Sequence, residues 1–151
     1  MPEKINWSLN VQVPGGPTIA FSRSLTVEAY DKIDVTIPAF TPAAPGPPAT
    51  PDTPGKATVS VQPSGTGKVQ FLLITSSVYD DRLTYKVDGG TAVELDAPQL
   101  LTGDGIVGLL GNTQKEFVFE NAIVDPDPKD ATKKITTPAS VAILVGRDAK
   151  T

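Results

Sequence analysis

Five apolar residues at strict two-residue spacing, Ile5, Trp7, Leu9, Val11 and Val13, open the chain. Successive side chains of a strand point to opposite faces, so this alternation describes a half-buried strand and cannot sit still as a helix. The same alternation returns in at least six later segments, each closed by Pro, Gly, Asp or Asn. The 151 residues are therefore expected to form one all-β domain, 1–151. Its architecture should be an antiparallel sandwich or barrel, jelly-roll-like or immunoglobulin-like, of about eight or nine strands.

The first strand, Ile5 to Val13, is ended by Pro14-Gly15-Gly16-Pro17, which removes two amide donors and supplies two residues tolerant of positive φ. Ile19 and Phe21 lead to Leu25, Val27 and Ala29, then to Ile33, Val35 and Ile37, two half-buried strands joined near Tyr30-Asp31. Between Pro38 and Pro54 stand seven prolines in 17 residues. That density of missing donors predicts an extended, polyproline-like surface loop with neither strand nor helix. It is read either as a tolerated insertion or as contact surface, because structureless loops this long are usually functional or disordered.

Strand signals resume at Ala57, Val59 and Val61, followed by a turn at Pro63-Ser64-Gly65-Thr66-Gly67. In Val69-Gln70-Phe71-Leu72-Leu73-Ile74 both faces become apolar, which predicts a central strand covered on both sides or buried against a subunit neighbour. Asp88-Gly89-Gly90 between Leu83–Val87 and Val93–Leu95 predicts a hairpin with the glycines at positive φ. Phe117-Val118-Phe119 and Ala139 to Val145 read as two more strands, separated by the polar loop Asp125 to Asp130. Gln99 to Leu110 is the one stretch with weak helical periodicity.

The chain has no histidine and no cysteine. The usual general base, the best metal ligands, the thiolate nucleophile and any disulfide scaffold are thereby removed. With 13 Lys plus Arg against 17 Asp plus Glu, a net charge of -4, it offers no positive field for phosphate, so nucleic acid is not the expected partner. The N-terminus lacks an apolar h-region, and apolar runs such as Phe71 to Ile74 are far below the roughly 20 residues of a membrane span. A soluble chain without signal peptide or membrane partner is expected.

Gly103-Asp104-Gly105-Ile106-Val107-Gly108 has the letters of a dinucleotide fingerprint but no parallel strand and helix around it, so it reads as a glycine-rich turn or β-bulge. Ser64 to Lys68 fails as a phosphate loop, with Gln62 at the first glycine position and Val69 at the hydroxyl position. Asp125, Asp127 and Asp130 alternate with prolines and lack the glycine of a calcium loop; a solvated acidic turn is expected. The remaining acid/base route runs through Asp80, Asp81, Glu94, Glu116 or Glu120, and needs two carboxylates across a cleft. No catalytic, cofactor-binding or metal-binding residue is therefore assigned, and no cofactor is expected.

The stretch Ile5 to Pro38, the Pro/Ala/Thr insertion after it and the closing Val141-Ala142-Ile143-Leu144-Val145-Gly146-Arg147-Asp148 resemble small bacteriophage virion proteins, of the cysteine-free β-rich type that decorate or cement capsids. The resemblance implies a non-enzymatic structural protein, made in the host cytoplasm and located in the virion. It implies a homo-oligomer whose partner is the major capsid protein or another virion protein. Trp7, Phe40, Pro42, Pro45, Pro47, Pro48, Pro51 and Pro54 are the candidate interface residues. The alternative is a monomeric carbohydrate-binding module using Trp7, Tyr30, Tyr79 or Tyr85, since aromatic residues suit surfaces with one apolar and one polar side.

Overall fold

The structure, a computed structural model, describes residues 1–44, 50–61, 68–111 and 113–148. In chain order the strands are β1 (Glu3–Gln12), β2 (Thr18–Val27), β3 (Ala29–Ile37), β4 (Gly55–Ser60), β5 (Lys68–Ser76), β6 (Asp80–Val87), β7 (Val93–Leu95), β8 (Gln99–Thr102), β9 (Glu116–Asn121), β10 (Val124–Asp127), β11 (Asp130–Thr136) and β12 (Ala139–Asp148). Eight of them form two antiparallel sheets, ordered β3-β12-β5-β8 and β4-β9-β6-β7. The other four form two separate hairpins, β1-β2 and β10-β11.

Renumbered along the chain, the eight sheet strands stand in the orders 1-8-3-6 and 2-7-4-5. First pairs with eighth, second with seventh, third with sixth and fourth with fifth, as when one long antiparallel hairpin is rolled over itself. That is the jelly-roll order. The result is a sandwich and not a closed barrel.

The two inner faces interdigitate. Ile37, Leu72, Ile74, Val141, Ile143 and Val145 from one sheet meet Val59, Leu83, Tyr85, Val87, Leu95, Phe117 and Phe119 from the other. The aromatic centre is Tyr85, whose ring lies 5.7 Å from Phe117 and 5.6 Å from Phe119. Each such fully buried side chain contributes about 1.5–3 kcal/mol, enough to hold a chain with no disulfide.

Three elements differ from the sequence expectation. β8 lies where Gln99 to Leu110 showed weak helical periodicity; only Asp104–Val107 is α-helical, the single turn α1, followed by a 3-10 turn at Gly108–Leu110. The fingerprint-like glycine segment is therefore this helical turn and not a β-bulge. The acidic loop at Asp125 to Asp130 is instead the hairpin β10-β11, exposed along most of its length and so without apolar alternation to announce it. The second and third strands join at Glu28, not at Tyr30-Asp31.

The Asp88 hairpin pairs β6 with β7 as the alternation predicts, with Tyr85 opposite Val93. Positive φ falls on Asp88 and Gly89 (48° and 73°), not on Gly90. Those two are the central residues of a primed turn closed by the Gly90 N–H on the Val87 carbonyl at 2.8 Å.

Candidate functional site

Two projections leave opposite ends of β3. At the Ala29 end stands the β1-β2 arm, and at the Ile37 end the proline-rich finger, with the β10-β11 hairpin beside it.

In the arm, Ile5 pairs with Leu25, Trp7 with Arg23, Leu9 with Phe21 and Val11 with Ile19. Directly opposed residues share a face, so this ribbon has one almost wholly apolar side. The other side carries Lys4, Asn6, Ser8, Asn10 and Gln12 opposite Thr26, Ser24, Ser22, Ala20 and Thr18. The base of the arm is bound to the body: the Glu28 N–H donates to the Arg147 carbonyl at 2.8 Å, and Val27 is buried. Ile5, Val27 and Phe71 crowd Gly146 so closely that a Cβ there would meet them at 2.7, 3.0 and 3.2 Å. This contact covers the outer side of β5 at Phe71 and leaves Leu73, on the same side, half-buried.

Beyond that base the apolar side has no cover. Leu9, Val11, Val13, Ile19 and Phe21 are 40, 44, 53, 59 and 41% exposed. Trp7 is half-buried, edge-on to Phe21 with ring centroids 5.4 Å apart. Residues 5–22 include no Asp, Glu, Lys or Arg. Among the described residues, neither long edge of the ribbon is hydrogen-bonded to a third strand. Solvent-facing edges ordinarily carry charges or prolines that discourage pairing, and this one has none along either strand until Lys4 and Arg23. Two clefts of about 440 and 420 Å³ flank the arm, the second between Trp7, Phe21, Leu25 and the Thr102-Gly103 corner.

The finger is held at its root. Asn121, fully buried, donates its Nδ2 to the carbonyls of Pro38 (3.1 Å) and Thr137 (2.8 Å), while its Oδ1 accepts the Ile123 N–H (3.0 Å). Single bridges join Thr41 to Thr53 and Ala44 to Thr50, and no named strand or helix runs through the described part. The Asp52 carboxylate accepts the Ala43 N–H at 2.8 Å, which holds it below its ordinary range, with Lys134 of β11 adding at 3.6 Å. That ion pair ties the finger to the second hairpin.

Of the candidate interface residues, Trp7 lies on the arm and Pro42, Pro51 and Pro54 on the finger, Pro51 exposed and the other two half-buried. The candidates thus fall on two separate projections. Phe40 is only 8% exposed, so little of its side chain is presented as contact surface within a single chain. Pro45, Pro47 and Pro48 lie outside the described residues, as do the turn at Pro63 to Gly67 and most of the segment tested as a phosphate loop. Tyr85, named for sugar stacking, is fully buried, its hydroxyl donating to Gln99 Oε1 at 2.5 Å and its ionisation pushed up to about 12 by burial. The Tyr79 hydroxyl accepts the Ser76 N–H at 3.0 Å.

Asp80, Asp125, Glu120, Asp127 and Asp130 are engaged with cations or amides. Asp80 takes Arg82 Nε and Nη2, both at 2.7 Å, and the same guanidinium reaches Asp125 at 3.0 Å and the Val124 carbonyl at 2.7 Å. These bonds hold Asp80 well below the usual carboxylate range and pin the second hairpin to β6. Glu120 pairs with Lys56 at 3.1 Å. Glu94 and Glu120 flank Thr84 on one outer sheet face, about 10 Å apart by strand spacing, and face the same way instead of across a cleft. Asp127 and Asp130 accept the N–H groups of Lys129 (2.8 Å) and Thr132 (3.1 Å), each closing its own turn.

Sequence reasoning missed the exposed half of the arm, since alternation reports an apolar face but not what covers it. It also missed Arg82 and Asn121, single polar residues whose partners lie far along the chain. No protein-family model, curated protein or solved structure matches the chain.

Proposed function

We propose that the chain is a non-enzymatic structural protein that assembles with copies of itself and on a larger particle, as do the phage decoration and cement proteins its sequence resembles. One observation carries this reading: the β1-β2 arm, free of charge from residue 5 to residue 22, with five large apolar side chains left in water at its distal half. A contiguous exposed apolar patch on a folded domain marks a partner surface. The jelly roll alone does not decide, because it serves capsid and lectin domains alike. Sugar recognition calls for a flat aromatic platform ringed by hydrogen-bonding groups; Trp7 and Phe21 stand edge-on to each other, and most of the exposed surface beyond them is the aliphatic Leu9, Val11, Val13 and Ile19. The opposite end of β3, with its finger and acidic-basic hairpin, supports a second, more polar contact made with the particle.

Mass by light scattering across a hundredfold concentration range tests self-assembly: a stable oligomer is expected, and a monomer throughout overturns it. Immunogold electron microscopy of the lysate in which the chain occurs tests the particle, with label expected on particle surfaces. Label confined to free protein overturns that half.

A further inference from the structure

The two sheets of the sandwich have very different outer faces. Outside the β4-β9-β6-β7 sheet stand Lys56, Glu120, Thr84 and Glu94 in one row and Thr58, Val118 and Lys86 in the next, a charged and wet surface. Outside the other sheet, Leu144 of β12, Leu73 of β5 and Leu100 of β8 stand side by side in one row, with Ala142 and Thr75 in the next. The charges at its rim, Lys32 and Asp34, neutralise each other at 2.8 Å. This leucine row adjoins the Gly146–Phe71 row on which the chain's own arm base already packs. The apolar surface is therefore continuous, and the chain covers only part of it. A shallow cleft of about 170 Å³ lies between Lys32, Leu73, Thr75, Ala142 and Leu144.

We propose that the apolar side of the arm tip, Leu9, Val11, Ile19 and Phe21, seats on the Leu144–Leu73–Leu100 row of a second copy of this chain. The inference rests on the self-assembly reading and names the surfaces it uses. Both surfaces lack net charge and both are apolar: the arm strip is two strands wide, and the leucine row crosses three strands, β12, β5 and β8. At about 3.4 Å per residue and 4.8 Å between strands, the uncovered half of the arm presents a strip roughly 20 Å by 10 Å. Two arms exchanged reciprocally, with the area each covers, remove on the order of 1,000 Å² from water, the size at which specific interfaces begin. Reciprocal exchange is self-complementary and closes on itself, which limits growth into filaments despite the bare ribbon edges.

The natural absence of cysteine makes a clean test. Differently tagged Ile19→Cys and Leu73→Cys chains are co-expressed and treated with a short bismaleimide. A covalent product carrying both tags is expected, absent when either variant is expressed alone. Val11→Asp combined with Ile19→Asp, at positions already exposed, is expected to leave the circular dichroism and melting of the fold unchanged and to reduce the mass to that of a monomer. If the unmodified chain is an oligomer while the mixed-tag product fails to form, or the double aspartate variant keeps its mass, arm exchange is overturned and self-assembly stands. If the unmodified chain is a monomer at every concentration, both fall.

Discussion

Gly55 lies against the carbonyl of Pro38 so closely that a Cβ on residue 55 would stand 1.8 Å from that oxygen. The approach closes the finger at its root, where Asn121 also holds the Pro38 carbonyl. No side-chain rotation relieves a clash with backbone. Gly55→Ala is therefore expected to cost about 3 kcal/mol, read as a lowered midpoint in urea unfolding, because overpacking at a fixed backbone forces the chain apart. An unchanged midpoint would show that the root is not closed as described.

The finger beyond that root is held by two isolated bridges and exposed polar bonds. Replacing Pro42 to Pro51 by a short Gly-Ser turn, with Phe40 and Gly55 kept, should leave the melting temperature within a few degrees of the parent. Binding to the particle should weaken. Full particle binding by the shortened chain would show that the finger is only an insertion.

Tyr85 unites the core with β8 through its bond to Gln99, whose Nε2 in turn donates to the Glu94 carbonyl at 2.7 Å. Tyr85→Phe leaves the half-buried Gln99 acceptor without its donor and should cost about 1 kcal/mol. The folded phenol ionises near 12 against an ordinary value of 10.0, so the folded state holds the proton more tightly than the unfolded chain. Its contribution is complete below about pH 10 and is lost as pH rises toward 12. Unfolding followed by denaturant at pH 8, 10 and 11.5 should show the parent losing more stability than Tyr85→Phe over that interval.

At acid pH the sign reverses. Arg82 holds Asp80 far below its ordinary 3.8. Burial raises Asp88, but its bonds from the Thr113 hydroxyl and the Glu116 and Lys115 N–H groups outweigh that and lower it overall. Because the folded values are depressed, the stability they confer is present above about pH 4 and is lost as pH falls through those values. The parent should be evenly stable between pH 7 and 5 and lose stability steadily below 4. Asp80→Asn should be about 1–2 kcal/mol less stable at pH 7, with a shallower acid decline, since charge-assisted bonds to a guanidinium are replaced by weaker ones. Parallel acid limbs in the two proteins would assign the decline to other carboxylates.

Alternation of apolar residues determined the strands of the roll, because each must bury one face whatever lies opposite. Val69 to Ile74 announced the interior strand β5, and Asp88-Gly89-Gly90 announced a primed turn, although the fold put positive φ on Asp88 and Gly89 and not on Gly90. β8 is four residues long and gains its identity from pairing with β5, and β10-β11 is wet on both faces, so neither carries a local pattern. Proline density in the finger likewise declared an element that cannot join a ladder.

The sequence by itself thus determined that the chain is all-β, roughly where the strands other than β8, β10 and β11 lie, and which chemistries lack their residues. Tertiary structure alone decided the rolled strand order, because pairing β3 with β12 or β4 with β9 joins residues far apart in the chain and no local preference encodes the choice. It also decided the meaning of Ile5, Trp7, Leu9, Val11 and Val13. Their period of two is the same whether the face they share is buried or bare, and only the folded chain separates Ile5, packed on Gly146, from Leu9, Val11 and Val13, which face water.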